Sequence, residues 1–401
     1  MTLDLINTLS DLVSLPSVNP MGRDLSGPEF LEHRVTDYLQ ALFEKLGLPH
    51  ERQTVEPRRD NIVARLDGDL PLDQPGAVIM FEAHQDTVPV DRMTIEPWTP
   101  VVDGGRITGR GSCDIKGGMT AMLGALARLA EERPAGMPTI IMACSVNEEH
   151  GYSGAKAICE LWKDGHTGIF PRRPDMAIVA EPTELDVVVA HKGVVRWQCR
   201  TLGHACHSSR PQRGENAIFT MSRVLATLET FQKDIAPSLG HHRLCEHPTL
   251  SVGLIHGGLS VNTVPDECVI DIDRRLLPGE DPEEARQHVI EYIAQHSGVS
   301  AEKIVHLSPY IAAPGLADEG NEAVAEKLCG AARKVTGRGQ IVGVPFGTDA
   351  AAFASAGVRS VVFGPGCIDQ AHTADEWLDL EQLSRASEIL YRFGQSGLGQ
   401  R

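Results

Sequence analysis

Four short apolar runs without polar alternation stand out along the chain, at residues 78–81, 139–146, 176–180 and 359–363. A run of this length with no alternation predicts a strand covered on both faces, as in a parallel sheet. Stretches with helical spacing lie between and around them, at 3–15, 29–46, 116–132, 321–335 and 381–393, with further short strands at 61–66 and 341–344. Strands and helices in this order predict an α/β fold with a mostly parallel sheet and helices on both faces.

Each of the four runs breaks onto acids or histidines. The first delivers His84, Gln85 and Asp86, and the second Asn147, Glu148, Glu149 and His150. The third ends in Glu181, and the fourth leads into GPGCIDQAHTADEW, which holds His372. Open α/β sheets place ligands beyond the carboxyl ends of their strands. One charged strand end is an ordinary solvated loop; four on that edge point to a site. Asp114 joins them from GRGSCDIKGG, at the mouth of the 116–132 helix, where a plain N-cap is the alternative reading.

The pattern changes between 194 and 307. Residues 194–202 and 268–276 alternate like half-exposed strands, 216–233 and 281–296 have helical spacing, and 250–255 and 303–312 are further strands. The order β-α-β-β-α-β is that of a ferredoxin-like split unit. The chain is therefore divided into a catalytic domain in two parts, 1–193 and 308–401, and an inserted α+β domain at 194–307.

Composition narrows the function classes. At 401 residues two domains are expected. A net charge of −17 argues against nucleic acid, which needs a basic surface. No run of eighteen apolar residues exists, so no membrane span is expected. The first residues, MTLDLINTLSDLV, carry acids and no basic leader pattern. Nine cysteines without a CxxC pair fit a reducing cytoplasm.

The strand-end set contains five carboxylates: Asp86, Asp114, Glu148, Glu149 and Glu181. Two like charges about 4 Å apart repel by roughly 4 kcal/mol at an effective dielectric near 20. Two divalent cations relieve the repulsion. His84 and Glu181 suit one, Glu149 and His372 the other, with Asp114 bridging. Imidazole and carboxylate donors suit zinc, and cobalt or manganese accept the same set. Glu148 is then left free to move a proton from a metal-bound water, whose pKa falls to about 7.

The motifs AHQDTVP, GRGSCDIKGG, SVNEEHG, VAEPT, GHACHSS, SVNTVPDECVIDIDRRLLPGE, FGTDAAAF and VVFGPG…AHTADEW cover nearly the whole length. Together they resemble the acetylornithine deacetylase / succinyl-diaminopimelate desuccinylase family of di-zinc metallohydrolases, whose relatives include aminoacylases and glutamate carboxypeptidases. The resemblance implies a di-zinc exopeptidase-like catalytic domain with two Zn2+ on the ligands named above. It also implies Asp86 orienting His84, and Glu148 as general base for attack by metal-bound hydroxide. It implies that the inserted domain forms a homodimer, with His207 stabilising the oxyanion across it. Asn262, Arg275 and Thr348 would contact the substrate; Arg275 is preferred to Arg274 because alternation places 271, 273 and 275 on one face. Cys113 and Cys206 depart from the small residues common at those positions. Glu181, rather than Asp, matches the deacylase and carboxypeptidase branch. The expected activity is removal of an acyl group from an N-acyl amino acid. A metallo-carboxypeptidase or dipeptidase acting on a short peptide, and a non-catalytic binding relative, are the alternatives.

Overall fold

The structure, a computed structural model, describes residues 3–163 and 168–398. The described residues form two compact units, those within 1–189, 318–342 and 348–401 in the first, and 190–317 and 343–347 in the second.

The first unit is built on an eight-stranded sheet, in the order His50–Glu56, Arg59–Leu66, Thr139–Ser145, Val78–His84, Met176–Val179, Arg359–Val362, Val187–His191, Ile341–Val344. The four strands from Thr139–Ser145 to Arg359–Val362 are adjacent and mutually parallel, and they are the four apolar runs. Arg59–Leu66 on one side and Val187–His191 on the other are antiparallel to their neighbours. Every residue of Val78–His84 and Thr139–Ser145 is buried. Side chains alternate between faces along a strand, so complete burial requires cover on both.

The helix Lys116–Glu132 supplies much of that cover, with twelve buried residues. Its sequence is rich in glycine and alanine because its neighbours come close. A Cβ at Gly124 would stand 2.4 Å from a methyl of Leu5 and 2.7 Å from the hydroxyl of Ser387, on the helices Leu5–Val13 and Leu380–Gly394. Asp4 and Asp379 cap those two helices by accepting the main-chain N–H groups of Asn7 and Gln382.

The second unit carries an antiparallel sheet in the order Thr249–Gly257, Glu267–Leu276, Gly193–Leu202, Ile304–His306, with Ile311–Ala313 also paired to Gly193–Leu202. The helices Ala217–Thr230 and Pro282–His296 complete the order β-α-β-β-α-β. Burial alternates strictly along Glu267–Leu276, and Cys268, Ile270 and Ile272 pack with Trp197, Met221, Val224, Val289 and Ile293. One face is thus dry, while the other carries Arg196, Gln198, Asp271, Asp273 and Arg275, all half-buried.

Two expectations need correction. The strand placed at 303–312 is two short strands, Ile304–His306 and Ile311–Ala313. Pro309 lies in the gap and has no N–H to give a ladder. Because Ile311–Ala313 still pairs with Gly193–Leu202, the inserted unit runs on to Ala317 rather than ending at 307.

Candidate active site

The register of the parallel strands sets the site. His84 lies opposite Ser145, Glu82 opposite Val179, and Val179 opposite Val362. The chain segments that follow, at 147–149, 181 and 363–372, therefore leave from one edge. Asp114 reaches the same edge from the loop before Lys116–Glu132, through a cis Asp114–Ile115 peptide.

Seven residues named from the sequence fall in this one place. Nε2 of His84 stands 3.2 Å from Oδ1 of Asp114 and 4.0 Å from Oε1 of Glu181. Nε2 of His372 stands 3.2 Å from Oδ2 of Asp114 and 3.4 Å from Oε2 of Glu149. Two triads result, His84–Asp114–Glu181 and Asp114–Glu149–His372, each with donor atoms within 4.8 Å of one another. Asp114 belongs to both, one oxygen toward each histidine. Two ligands at roughly 2.1 Å from a tetrahedral zinc lie about 3.4 Å apart, which matches these separations.

Unmet bonding points the same way. Nε2 of His84, Oδ1 of Asp114 and Oε1 of Glu149 are buried with no hydrogen-bond partner among the described residues. Leaving such atoms unsatisfied costs about 1–3 kcal/mol each, more when charged. A cation in each triad meets all three. The donor set therefore fits a pair of divalent metals.

Without cations the site must hold protons. Burial pushes the carboxyls of Glu148, Glu149 and Glu181 up; the charge of Glu181 raises Glu148 further, and that of Asp114 raises the other two. Burial alone would lower both histidines, but the carboxylate of Asp114 and its acidic neighbours raise His84 well above its ordinary value and His372 to about 11. Burial would raise Asp114, but the two histidines hold it below the usual range. These signs give a stability prediction. Raised carboxyl and imidazole values mean that the folded, metal-free chain binds protons which the unfolded chain releases above about 4.3 for Glu and 6.5 for His. That contribution is present at lower pH and lost as pH rises toward the folded values; the contribution of Asp114 is already in place above pH 4. Chelated protein should therefore melt lower at pH 9 than at pH 6, by on the order of 5 °C by calorimetry, and metal should shrink the difference. Equal melting at both pH values without metal would contradict this account of the site.

A scaffold behind the triads holds them. The carboxylate of Asp86 accepts the main-chain N–H groups of Glu148 and Glu149, both at 3.1 Å, and the side-chain amide of Asn19 at 2.8 Å. Asn19 also reaches Asn147 at 2.9 Å. The expected contact of Asp86 with His84 takes a different form. Nδ1 of His84 meets the main-chain oxygen of Asp86 at 3.1 Å, while the carboxylate lies 3.6 Å away. The chain leaves the strand at His84, so alternation no longer aligns the two side chains. A buried pair, Glu32 and Arg59 at 2.5 Å, extends the scaffold, with Oε1 of Glu32 accepting the N–H of Asn147 at 3.2 Å. Burial raises Glu32 to about 7. Asn147 and His372 both adopt left-handed backbone (φ 61° and 60°), a strain of about 1–3 kcal/mol of the kind found at functional sites. Sequence reasoning missed Asn19, Glu32 and Arg59, and placed Asn147 at the strand end without a role. It also missed Glu376, whose only signal is its place in AHTADEW, four residues after His372.

The remaining candidates are placed differently. Thr348 is buried in the first unit, where its hydroxyl accepts the N–H of Ala350, the first residue of the helix Ala350–Ser355, at 3.2 Å. His207 and Asn262 lie side by side in the second unit: Cys206–His207 pairs with Thr263–Val264, and the N–H of Ser208 reaches the oxygen of Asn262. Nδ1 of His207 stands 2.8 Å from the hydroxyl and 3.1 Å from the N–H of Ser209, so Nε2 is the nitrogen these contacts leave open. Arg275 is on the half-exposed face, bonded to Asp273 at 2.8 Å, while Arg274 is buried against Glu280. Arg275 pairs with Thr249 at one end of a ladder whose other end, Cys268 with Gly257, adjoins the Asn262 loop. The rise of a strand puts about 25 Å between the two ends.

Comparison with known proteins adds four findings. The model of peptidase family M20/M25/M40 matches residues 80–396. An acetylornithine deacetylase of Pectobacterium carotovorum subsp. carotovorum (strain PC1) is 31% identical over 393 residues, covering 94% of each chain. Among solved structures, an M20 family metallo-carboxypeptidase from Sulfolobus solfataricus superposes with a TM-score of 0.77 at 17% identity, over 98% of this chain and 99% of that one. A dinuclear metal binding peptidase of the M20 family from Bacillus subtilis does so with a TM-score of 0.62 at 19% identity, over 98% and 96%.

Proposed function

The chain belongs to peptidase family M20/M25/M40 and is a hydrolase of amide bonds, and from that premise we propose that it removes the acyl group from an N-acyl amino acid. The observation that carries the reading is the position of Asp114, shared by two triads, with Glu148 beside them and in neither. We assign zinc to both triads, with cobalt or manganese able to serve the same donors. Bound there, the ions supply Lewis acidity for the amide carbonyl and for the attacking water.

The chain's own groups do the rest. Glu148 takes a proton from the water and returns it to the leaving nitrogen. Its main-chain N–H is fixed by Asp86, so its place does not depend on a ligand. We assign the Nε2–H of His207 to the developing oxyanion. Asn262 and Arg275 take the substrate carboxylate, for which the guanidinium fork is suited. Within one copy those two residues stand at opposite ends of a β ladder, so joint use of a single carboxylate calls for two copies of the chain.

The second unit offers a surface for that pairing. Thr249–Gly257 is an edge strand with Leu254 and Ile255 half exposed. Beside it, Leu259, Val261 and Phe219 are 94%, 102% and 72% exposed around a groove of about 640 Å³. Apolar groups so exposed on an unpaired edge suit an interface. We propose a homodimer through this unit. None of the nine cysteines is joined in a disulfide among the described residues, which supports a cytoplasmic location. No helix among the described residues is long and apolar enough to cross a membrane.

Hydrolysis of N-acetyl, N-succinyl and N-formyl amino acids, set against dipeptides after zinc or cobalt loading, tests the activity. The N-acyl substrates should lead by at least about tenfold in kcat/KM, a difference of about 1.4 kcal/mol. Better turnover of dipeptides replaces the deacylase reading with a peptidase one. Sedimentation of the same preparation as a monomer removes the dimer.

A further inference from the structure

We propose that Glu376 is a positioning residue whose carboxylate clamps the loop carrying Asp114 to the loop carrying His372, and so sets the separation of two metal ligands. The inference rests on the reading of those two residues as ligands. Glu376 is fully buried. Its Oε1 accepts the main-chain N–H groups of Cys113 at 2.8 Å and of Asp114 itself at 3.0 Å. Its Oε2 accepts the N–H of Gly111 at 2.9 Å and Nη1 of Arg110 at 2.8 Å. Its main-chain oxygen accepts the N–H of Gly109 at 3.0 Å.

The loop 109–114 thus presents three main-chain N–H groups, of Gly111, Cys113 and Asp114, and one guanidinium to one side chain. Gly109 and Gly111 make this possible through backbone angles (φ 138° and 85°) that other residues rarely adopt. Main-chain N–H groups of one loop turned to one point form an anion-binding concavity, filled here by a carboxylate from the same chain. Arg110 closes the arrangement. Its Nη2 reaches the carbonyls of Pro89 at 3.2 Å and of Thr373, next to His372, at 3.3 Å.

A buried ion pair with Arg110 alone would account for the charge. It would not account for three further amides, one of them that of Asp114. Three residues separate Glu376 from His372, so a single short segment brings one ligand and fixes the approach of the other. Glutamine at 376 keeps the shape and turns one acceptor into a donor facing donors. Aspartate keeps both acceptors and shortens the reach.

Titration of metal-free protein with cobalt, followed by calorimetry and visible absorption, tests the clamp. Melting curves identify the folded fraction. Glu376→Gln should weaken the second cobalt ion by about 10–100-fold and change the absorption of the bound metal. Glu376→Asp should bind more tightly than Glu376→Gln. A folded Glu376→Gln that melts lower yet binds both ions with wild-type affinity and spectrum overturns the proposal and leaves Glu376 a packing residue. If Glu376→Gln does not fold, Glu376→Asp decides: weakened binding with an altered spectrum supports the clamp, and wild-type binding overturns it. A wild-type chain that binds no cobalt ends the metal reading and the clamp together, whereas normal wild-type binding with an unaffected variant ends the clamp alone.

Discussion

Glu148→Gln should lower kcat by about 10²–10⁴-fold with two metal ions still bound, which is the usual range for a lost general base. The barrier rises by roughly 2.7–5.4 kcal/mol. The substitution keeps the shape and removes the proton acceptor. The N–H bond from residue 148 to Asp86 is main chain and survives it. Neither triad contains the side chain, so the metal content should not change. KM should stay within a few-fold, because the group acts on the water and the leaving nitrogen rather than on the resting substrate. Elemental analysis and steady-state kinetics on one preparation give both numbers. Undiminished turnover would remove Glu148 from the mechanism, and loss of metal would make it a ligand.

The parts of the fold that the sequence makes legible are those where burial leaves a pattern. A strand covered on both faces is mostly apolar, so Val78–His84, through its first four residues, and Thr139–Ser145 show as runs. Their ends are legible because the chain turns polar where the sheet stops, and the site is built from those turns. His50–Glu56 is less legible: as an edge strand reading HERQTVE it has no apolar run and is held by its pairing with Arg59–Leu66. Val187–His191 is apolar as far as Ala190 and ends in His191, with no acid that serves the site.

The ligands could be found from residue type and place; of their supports only Asp86 could, and for a contact other than those it makes. Asp86 and Glu376 act by receiving main-chain N–H groups, and every residue but proline has one. No residue type marks where amides converge. The pairing of Glu32 with Arg59 joins a helix N-terminus to a strand 27 residues on, a separation that periodicity does not carry. Chemistry carried by side chains is written at single positions, whereas the geometry that aims it is spread over loops.

The second large effect belongs to Asp114. Asp114→Asn should cost both metals, where Glu149→Gln and Glu181→Gln should each weaken one. Asp114 is the only residue common to the two triads, and its two oxygens stand 3.2 Å from His372 and from His84. With its charge gone, Glu149 and Glu181 are the only carboxylates left in the triads, one for each cation. Elemental analysis after dialysis should find less than one ion per chain, and kcat/KM should fall by more than about 10³-fold, since Lewis-acid stabilisation contributes several kcal/mol. The metal-free variant carries a second signature. The Asp114 carboxylate is the main influence raising both histidines against their burial, so without it His84 and His372 hold their protons less strongly. The difference in melting between pH 6 and pH 9 should then narrow in chelated Asp114→Asn relative to chelated wild type. Two ions retained with an unchanged pH difference would mean that Asp114 bridges nothing, and the two triads would have to be rebuilt as separate sites.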